Sequence, residues 1–214
     1  MGKQKSAWDN ISEWRMELKL ASPEVPSGSW FAIRPTGEGD GTAISASDWE
    51  ALGVFNLNEC TVLDSRGGLP RISAGIQKYQ QTNDLIRDIQ RMYSLIQQFQ
   101  GDAHIQRFIA AMEYEDCVFL WEAVEIGEHL DAYSFLSTED FRATVKRDLM
   151  ENGIEERILN QCFDFNRYAA LKYQYEDLYT SIGTGLYVHK VDESFQINTA
   201  GPQMGQESSG PALG

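Results

Sequence analysis

The residues of this chain best suited to chemistry are its carboxylates, 32 Asp and Glu against 18 Lys and Arg. Paired carboxylates do general acid–base work, cleave glycosides and hold divalent metals. Here the acids are so numerous that pairs arise by chance, and no neighbouring residue marks one pair out. The histidines (His104, His129, His189) and cysteines (Cys60, Cys117, Cys162) fall without ligand spacing. No C-x-x-C or H-x-x-x-H occurs, so a zinc site is not expected. The three thiols read as free and buried. Gly67-Gly68 and Gly37-x-Gly39-x-Gly41 lack the lysine and the strand–loop–helix setting of a phosphate loop. No G-x-S-x-G is present. The expectation is therefore a protein without catalytic residues, metal or cofactor.

The acids themselves are patterned. Glu113, Asp116, Glu122, Glu125, Glu128 and Asp131 are read as lying opposite the apolar positions of their helices, and Glu139, Asp140, Asp148, Glu151, Glu155 and Glu156 continue the series. With Glu115, Glu176 and Asp177 they form the candidate partner-binding surface. Helical neighbours three or four apart stand about 5–6 Å from each other at Cβ, and like charges there cost a few tenths of a kcal/mol per pair. B-DNA carries one phosphate per about 3.4 Å on each strand, so such rows could fill a site built for phosphates. The plainer alternative is a solvated acidic face.

The net charge of −14 is unevenly spread. Residues 1–30 are neutral, 31–60 carry −4, 61–100 carry +2, 101–150 carry −7 and 151–214 carry −5. A chain this acidic is repelled by nucleic acid and by anionic lipid, and its charged partner should be basic. Apolar residues make up 42% of the sequence and aromatics 11%, enough for a folded core. No run of about 18 apolar residues offers a membrane span, and no apolar run follows Lys3 and Lys5 to make a signal peptide. A cytoplasmic setting is expected.

The elements needed to position these acids follow from periodicity and turn residues. A polar N-terminus (1–13) leads to a strand over Trp14–Leu20, with Met16, Leu18 and Leu20 on one face. A turn at Pro23–Gly28 and a returning strand over Ser29–Arg34 follow. Beyond a glycine-rich loop, Ser47-Asp48-Trp49-Glu50 reads as a capping box opening a short helix. A third strand spans Cys60–Asp64. Leu85, Ile86, Ile89, Met92, Tyr93, Ile96 and Phe99 mark a helix capped by Thr82 or Asn83 and stopped by Gly101. Asp102 is expected to cap the next helix, with Ile105, Phe108, Ile109 and Met112 buried. Another helix is expected over Cys117–Glu125, with Val118, Leu120, Trp121 and Val124 inward and Gly127 at its end. A strand at Ala132–Leu136 precedes a helix opened by Ser137 and buried through Phe141, Val145 and Leu149. A helix over Asp164–Gln174 and a hairpin about Gly183-Thr184-Gly185 complete the fold, and a Gly/Pro/Ser/Gln tail starts at Asn198. The expected fold is α+β, elongated, with three small domains in a row: α+β (14–76), helical (77–129), and α+β with a C-terminal hairpin (130–197), followed by a disordered tail (198–214).

The order of segments resembles the ArdA-type antirestriction proteins, DNA mimics of mobile genetic elements. The likeness rests on Gly28-Ser29-Trp30, on Cys60 to Ser65 with Asn83 early in the following helix, and on Leu130-Asp131-Ala132-Tyr133-Ser134-Phe135. It also rests on Phe163-Asp164-Phe165-Asn166-Arg167-Tyr168-Ala169 with Thr180 and Gly185-Leu186-Tyr187-Val188. It spans about Trp14 to Val188. The chain departs from the pattern at Ala170-Leu171, where the family has Arg-Asp, and at Arg87 and Arg91, in a helix commonly acidic in relatives. The resemblance implies an elongated, curved, three-domain homodimer that fills the DNA groove of a type I restriction–modification enzyme, binding neither nucleic acid nor membrane. Two other classes stay open: an acidic adaptor module whose affinity sits in a hydrophobic hot spot, and a carboxylate enzyme in which one or two acids are indispensable.

Overall fold

The computed structural model describes residues 11, 14–35, 43–54, 56–168, 171 and 179–202. It is a mixed α+β protein whose chain divides into two compact units, one of residues 1–98, 118–125 and 197–214, the other of residues 99–117 and 126–196. The segment expected as a helical middle domain is thus shared between them.

In the first unit, β1 (Glu17–Ala21), β2 (Ser29–Ala32) and β3 (Thr61–Arg66) form an antiparallel sheet in the order β2-β1-β3. The expected alternation holds: Met16, Leu18 and Leu20 are buried, because a period of two sends every second side chain to one face. Against this sheet lies α2 (Thr82–Gln98), burying Leu85, Ile89, Met92 and Tyr93. Tyr93 pins helix to sheet. Its hydroxyl accepts from the Met16 amide at 2.8 Å and donates to the Ile33 carbonyl at 3.1 Å, and its ring meets Trp14 at 4.8 Å. Thr82 is already helical, and its hydroxyl donates to the Cys60 carbonyl at 2.6 Å instead of capping the helix.

The short helix α1 (Ala46–Leu52) starts two residues earlier than expected. Its capping box uses Ser45 and Asp48, not Ser47 and Glu50. The shorter Asp serves at the third helical position, and the earlier start leaves Ile44 buried. The Gly37–Gly41 loop lies outside the described residues.

The second unit contains α3 (Asp102–Tyr114), β4 (Tyr133–Leu136), α5 (Thr138–Glu151), α6 (Glu156–Cys162), β5 (Tyr179–Thr180) and β6 (Tyr187–Lys190). Its strands pair antiparallel in the order β4-β6-β5. Gly101 stands at the N-cap of α3, so Asp102 is its first residue and not its cap. Ser137 caps α5 as expected. Phe141 and Val145 are buried, and Phe141 stacks on Tyr187 at 4.3 Å. Sequence periodicity missed α6, which buries only Leu159 and has no side-chain cap. Residues 165–168 are helical, and most of the rest of the Asp164–Gln174 segment lies outside the described residues.

Helix α4 (Leu120–Glu128) begins later and runs further than expected. Val118 precedes it and is exposed, and Gly127 lies within its last turn. Ser73 holds the entry to α4 through a parallel bridge to Phe119, with Ser73 N donating to the Val118 carbonyl at 2.8 Å. Trp121 stacks on Phe119 at 4.5 Å and meets Tyr79 edge-on. Gly75 passes so close that a Cβ there would sit 2.5 Å from the Trp121 ring. The tail does not leave the fold at Asn198: its carbonyl accepts from the Trp121 indole at 2.9 Å, and Gly201 is buried.

Candidate partner-binding surface

The fifteen candidate acids separate by what their carboxylates touch. Four of them are bonded into the fold. Glu122 is 6% exposed and accepts from the amides of Val118 (2.9 Å) and Phe119 (3.0 Å). With Leu120 opening the helix, Glu122 stands at the third helical position and reaches back to the residue before the first turn, as the glutamate of a capping box does. Glu125 accepts from the Asn198 amide at 2.8 Å and so anchors the end of the described chain.

Glu113 holds the turn between β5 and β6. One oxygen accepts from the Ser181 hydroxyl at 2.8 Å and the other from the Gly183 amide at 3.0 Å. A Cβ at Gly183 would fall 2.5 Å from that carboxylate, so a larger residue there would push Glu113 away from the turn. Glu115 accepts from the Tyr133 hydroxyl at 2.6 Å and from the Lys190 ammonium at 2.8 Å. Burial, and then the bond to Glu115, push the Tyr133 phenol well above its usual range.

Nine acids are exposed: Asp116, Glu128, Asp131, Glu139, Asp140, Asp148, Glu151, Glu155 and Glu156. All nine belong to the second unit. Asp116 follows the end of α3 at φ 51°, a left-handed position that Asp tolerates better than most side chains. Asp140 completes the cap of α5, accepting from the Ser137 hydroxyl at 2.6 Å. Glu156 meets Lys146 at 2.6 Å, and that bond holds its carboxyl below the usual range. Asp148 lies 3.7 Å from Arg147. Glu176 and Asp177 lie outside the described residues.

Arg87 and Arg91, which interrupt the acidic pattern, are matched on their own helix. Arg87 pairs with Asp84 at 2.8 Å and Arg91 with Asp88 at 2.9 Å, each three residues back. Asp88 is buried and also accepts from the Tyr79 hydroxyl at 3.0 Å; burial, and then the Asp88 carboxylate, raise the Tyr79 phenol above its usual range. The helix is therefore locally neutral. Its i, i+3 spacing was readable from the sequence.

A cavity of about 610 Å³ in the first unit is lined by Asn58, Thr61, Asp64, Gln77, Tyr79 and Gln81 among others. Its wall contains one carboxylate, Asp64, where two-carboxylate hydrolysis needs a facing pair. Among the described residues no group of His, Cys, Asp and Glu is placed to hold a metal ion, and no helix is long and apolar enough to cross a membrane. Of the thiols, Cys60 is buried, which raises its pKa, but Cys117 is half-buried and Cys162 exposed, against the expectation of three buried thiols. Comparison with protein-family models, curated proteins and solved structures returned no match to this chain.

Proposed function

We propose that this protein is a cytoplasmic antirestriction protein, not an enzyme, which mimics the phosphate charge of DNA and occupies the DNA-binding groove of a type I restriction–modification enzyme. The observation that carries the reading is that the nine exposed candidate acids all fall in the second unit, six of them between Glu139 and Glu156, while the first unit exposes fewer, Glu24, Glu50, Glu59 and Asp64 among its described residues. Residues of that unit total 17 acids against 8 Lys and Arg, net −9, while those of the first total 15 against 10, net −5. The four segment likenesses supply the identity of the target. Carboxylates meeting Lys and Arg of a DNA groove displace counterions as phosphates do, so affinity spreads over many contacts and weakens as salt rises.

Glu113, Glu115, Glu122 and Glu125 are bonded inward at buried or half-buried positions and are left out of the proposed surface, whereas Asp140 and Glu156 stay exposed beside their partners and are kept. The elongated three-domain layout and the homodimer belong to the same proposal, and small-angle scattering reads both. The functional test is plating of unmodified phage on a restricting strain with and without the protein. Rescue of plating is expected, and its absence overturns the reading.

A second reading, an acidic adaptor of a mobile element whose charge serves solubility, is favoured by exposed Met150, Ile154 and Ile158 beside these acids. It differs in its salt response. Binding that persists unchanged from low to high salt belongs to the adaptor and not to the mimic.

A further inference from the structure

Ile182 is 91% exposed, while the next most exposed large hydrophobic among the described residues, Val191, reaches 56%. A lone apolar side chain on a surface is ordinary. What sets this one apart is the rigidity of the turn that carries it. Ser181, just before it, is buried and donates its hydroxyl to Glu113 at 2.8 Å. The Ser181 oxygen also accepts from the Thr184 amide at 3.1 Å, and the Ser181 carbonyl from the Gly185 amide at 2.8 Å. Gly183, just after it, is bound to the same Glu113 carboxylate. The two residues flanking Ile182 are therefore tied to one fixed acid on α3. The Ile182 side chain is held away from the core by bonds that do not need it, and turn positions ordinarily take Gly, Asn, Asp or Ser.

The surroundings of the turn are acidic. Thr138 at the start of α5 donates to the Gly185 carbonyl at 3.2 Å, which fixes the first turn of α5, with exposed Glu139 and Asp140, beside the Ile182 loop. We propose that Ile182 is an apolar anchor that seats in a pocket of the protein partner, a pocket rimmed by Lys and Arg that meet Glu139 and Asp140. A pre-ordered apolar tip loses little conformational freedom on binding, and buried anchors ringed by charged contacts carry a disproportionate share of interface affinity. The proposal rests on the reading of the partner as a basic DNA groove. It adds to charge mimicry a contact that does not depend on salt.

The test is displacement of a fluorescent recognition-site duplex from a purified type I restriction–modification enzyme by the full-length protein at several salt concentrations. Ile182→Ser is expected to weaken competition about tenfold at every salt concentration, with the salt slope unchanged. Ile182→Leu should restore most of the loss, and Glu139→Lys should instead lower the slope by about one to two contacts' worth. The thermal unfolding of I182S should match the parent protein, since the side chain is not part of the core. Competition by I182S within twofold of the parent overturns the anchor and leaves the mimic reading standing. No competition by the parent protein at any salt removes the mimic reading, and the anchor falls with it. Conversion of a dimer to a monomer by I182S assigns the residue to a contact between copies and also overturns the proposal.

Discussion

Four acids around α3 and α4 (Glu113, Glu115, Glu122 and Glu125) and the acids around α5 and α6 look alike in sequence, yet they serve different ends. Glu113, Glu115 and Glu125 are within reach of amides, hydroxyls or an ammonium contributed by distant segments, Glu122 is within reach of the two amides that precede its own helix, and each is half-buried or buried. Glu139, Asp148, Glu151 and Glu155 stand in solvent, and Glu156 stays exposed while paired with Lys146. The difference teaches that a dense run of carboxylates is not by itself a surface. A carboxylate is bonded inward wherever the fold leaves unmatched donors beside it, since a buried amide without a partner costs about 1–3 kcal/mol. Only the remainder is available to a partner.

The sharpest way to break this division is to remove an inward acid. Glu122→Ala leaves the amides of Val118 and Phe119 without their acceptor at the start of α4. A loss of about 3 kcal/mol in urea unfolding is expected. If stability stays within about 0.5 kcal/mol, Glu122 belongs with the surface acids after all. The complementary change reverses outward acids together, Glu139, Glu151 and Glu155 each to Lys. Competition with DNA for the restriction enzyme should weaken about a hundredfold at low salt, while unfolding shifts by less than about 1 kcal/mol. Loss of stability without loss of competition would invert the assignment.

Much of this was open to the sequence. The strand faces of Met16, Leu18 and Leu20, the buried stripe of α2 and the Ser137 cap follow from local spacing, because they depend on neighbours two to four residues away. Glu122 was legible too, once α4 is taken to start at Leu120, since a glutamate at the third helical position is the signal of a backward cap. Placing the start at Cys117 hid it. Glu113 and Glu115 were not legible. Their partners, Ser181 and Lys190, lie 68 and 75 residues away, and no periodicity reports a contact of that range. Helix α6 escaped because a seven-residue helix burying only Leu159 has almost no apolar stripe.

Tyr133 tests the inward set by pH. Its raised pKa means that the native state resists ionising the phenol while the unfolded chain ionises near its ordinary value of about 10. The contribution is therefore fully present below about pH 10 and is lost as pH rises above it. Tyr133→Phe removes one donor from Glu115 and leaves Lys190. The expected cost is about 1–2 kcal/mol at pH 7, with a shallower fall in stability above pH 10 than the parent shows. An identical alkaline limb in parent and variant would mean that Tyr133 is not shielded from ionisation.

The smallest effect is the most specific to a mimic. Glu151→Gln neutralises one exposed acid on the last turn of α5 and touches no bond of the fold described above. A surface charge contact contributes up to about 1 kcal/mol and often less, and in an interface of many such contacts its loss is shared by the rest. Competition should weaken by less than about twofold at 0.15 M salt, and the salt slope should fall by about one contact's worth. A catalytic carboxylate behaves in the opposite way, with one neutralisation abolishing activity at every salt concentration. Dose–response curves for single neutralisations at Glu139, Asp148, Glu151 and Glu155 therefore separate the readings. Four shallow, similar losses are what a charged surface gives, and one steep loss among three flat ones would mark out an individual acid that the surface reading does not contain.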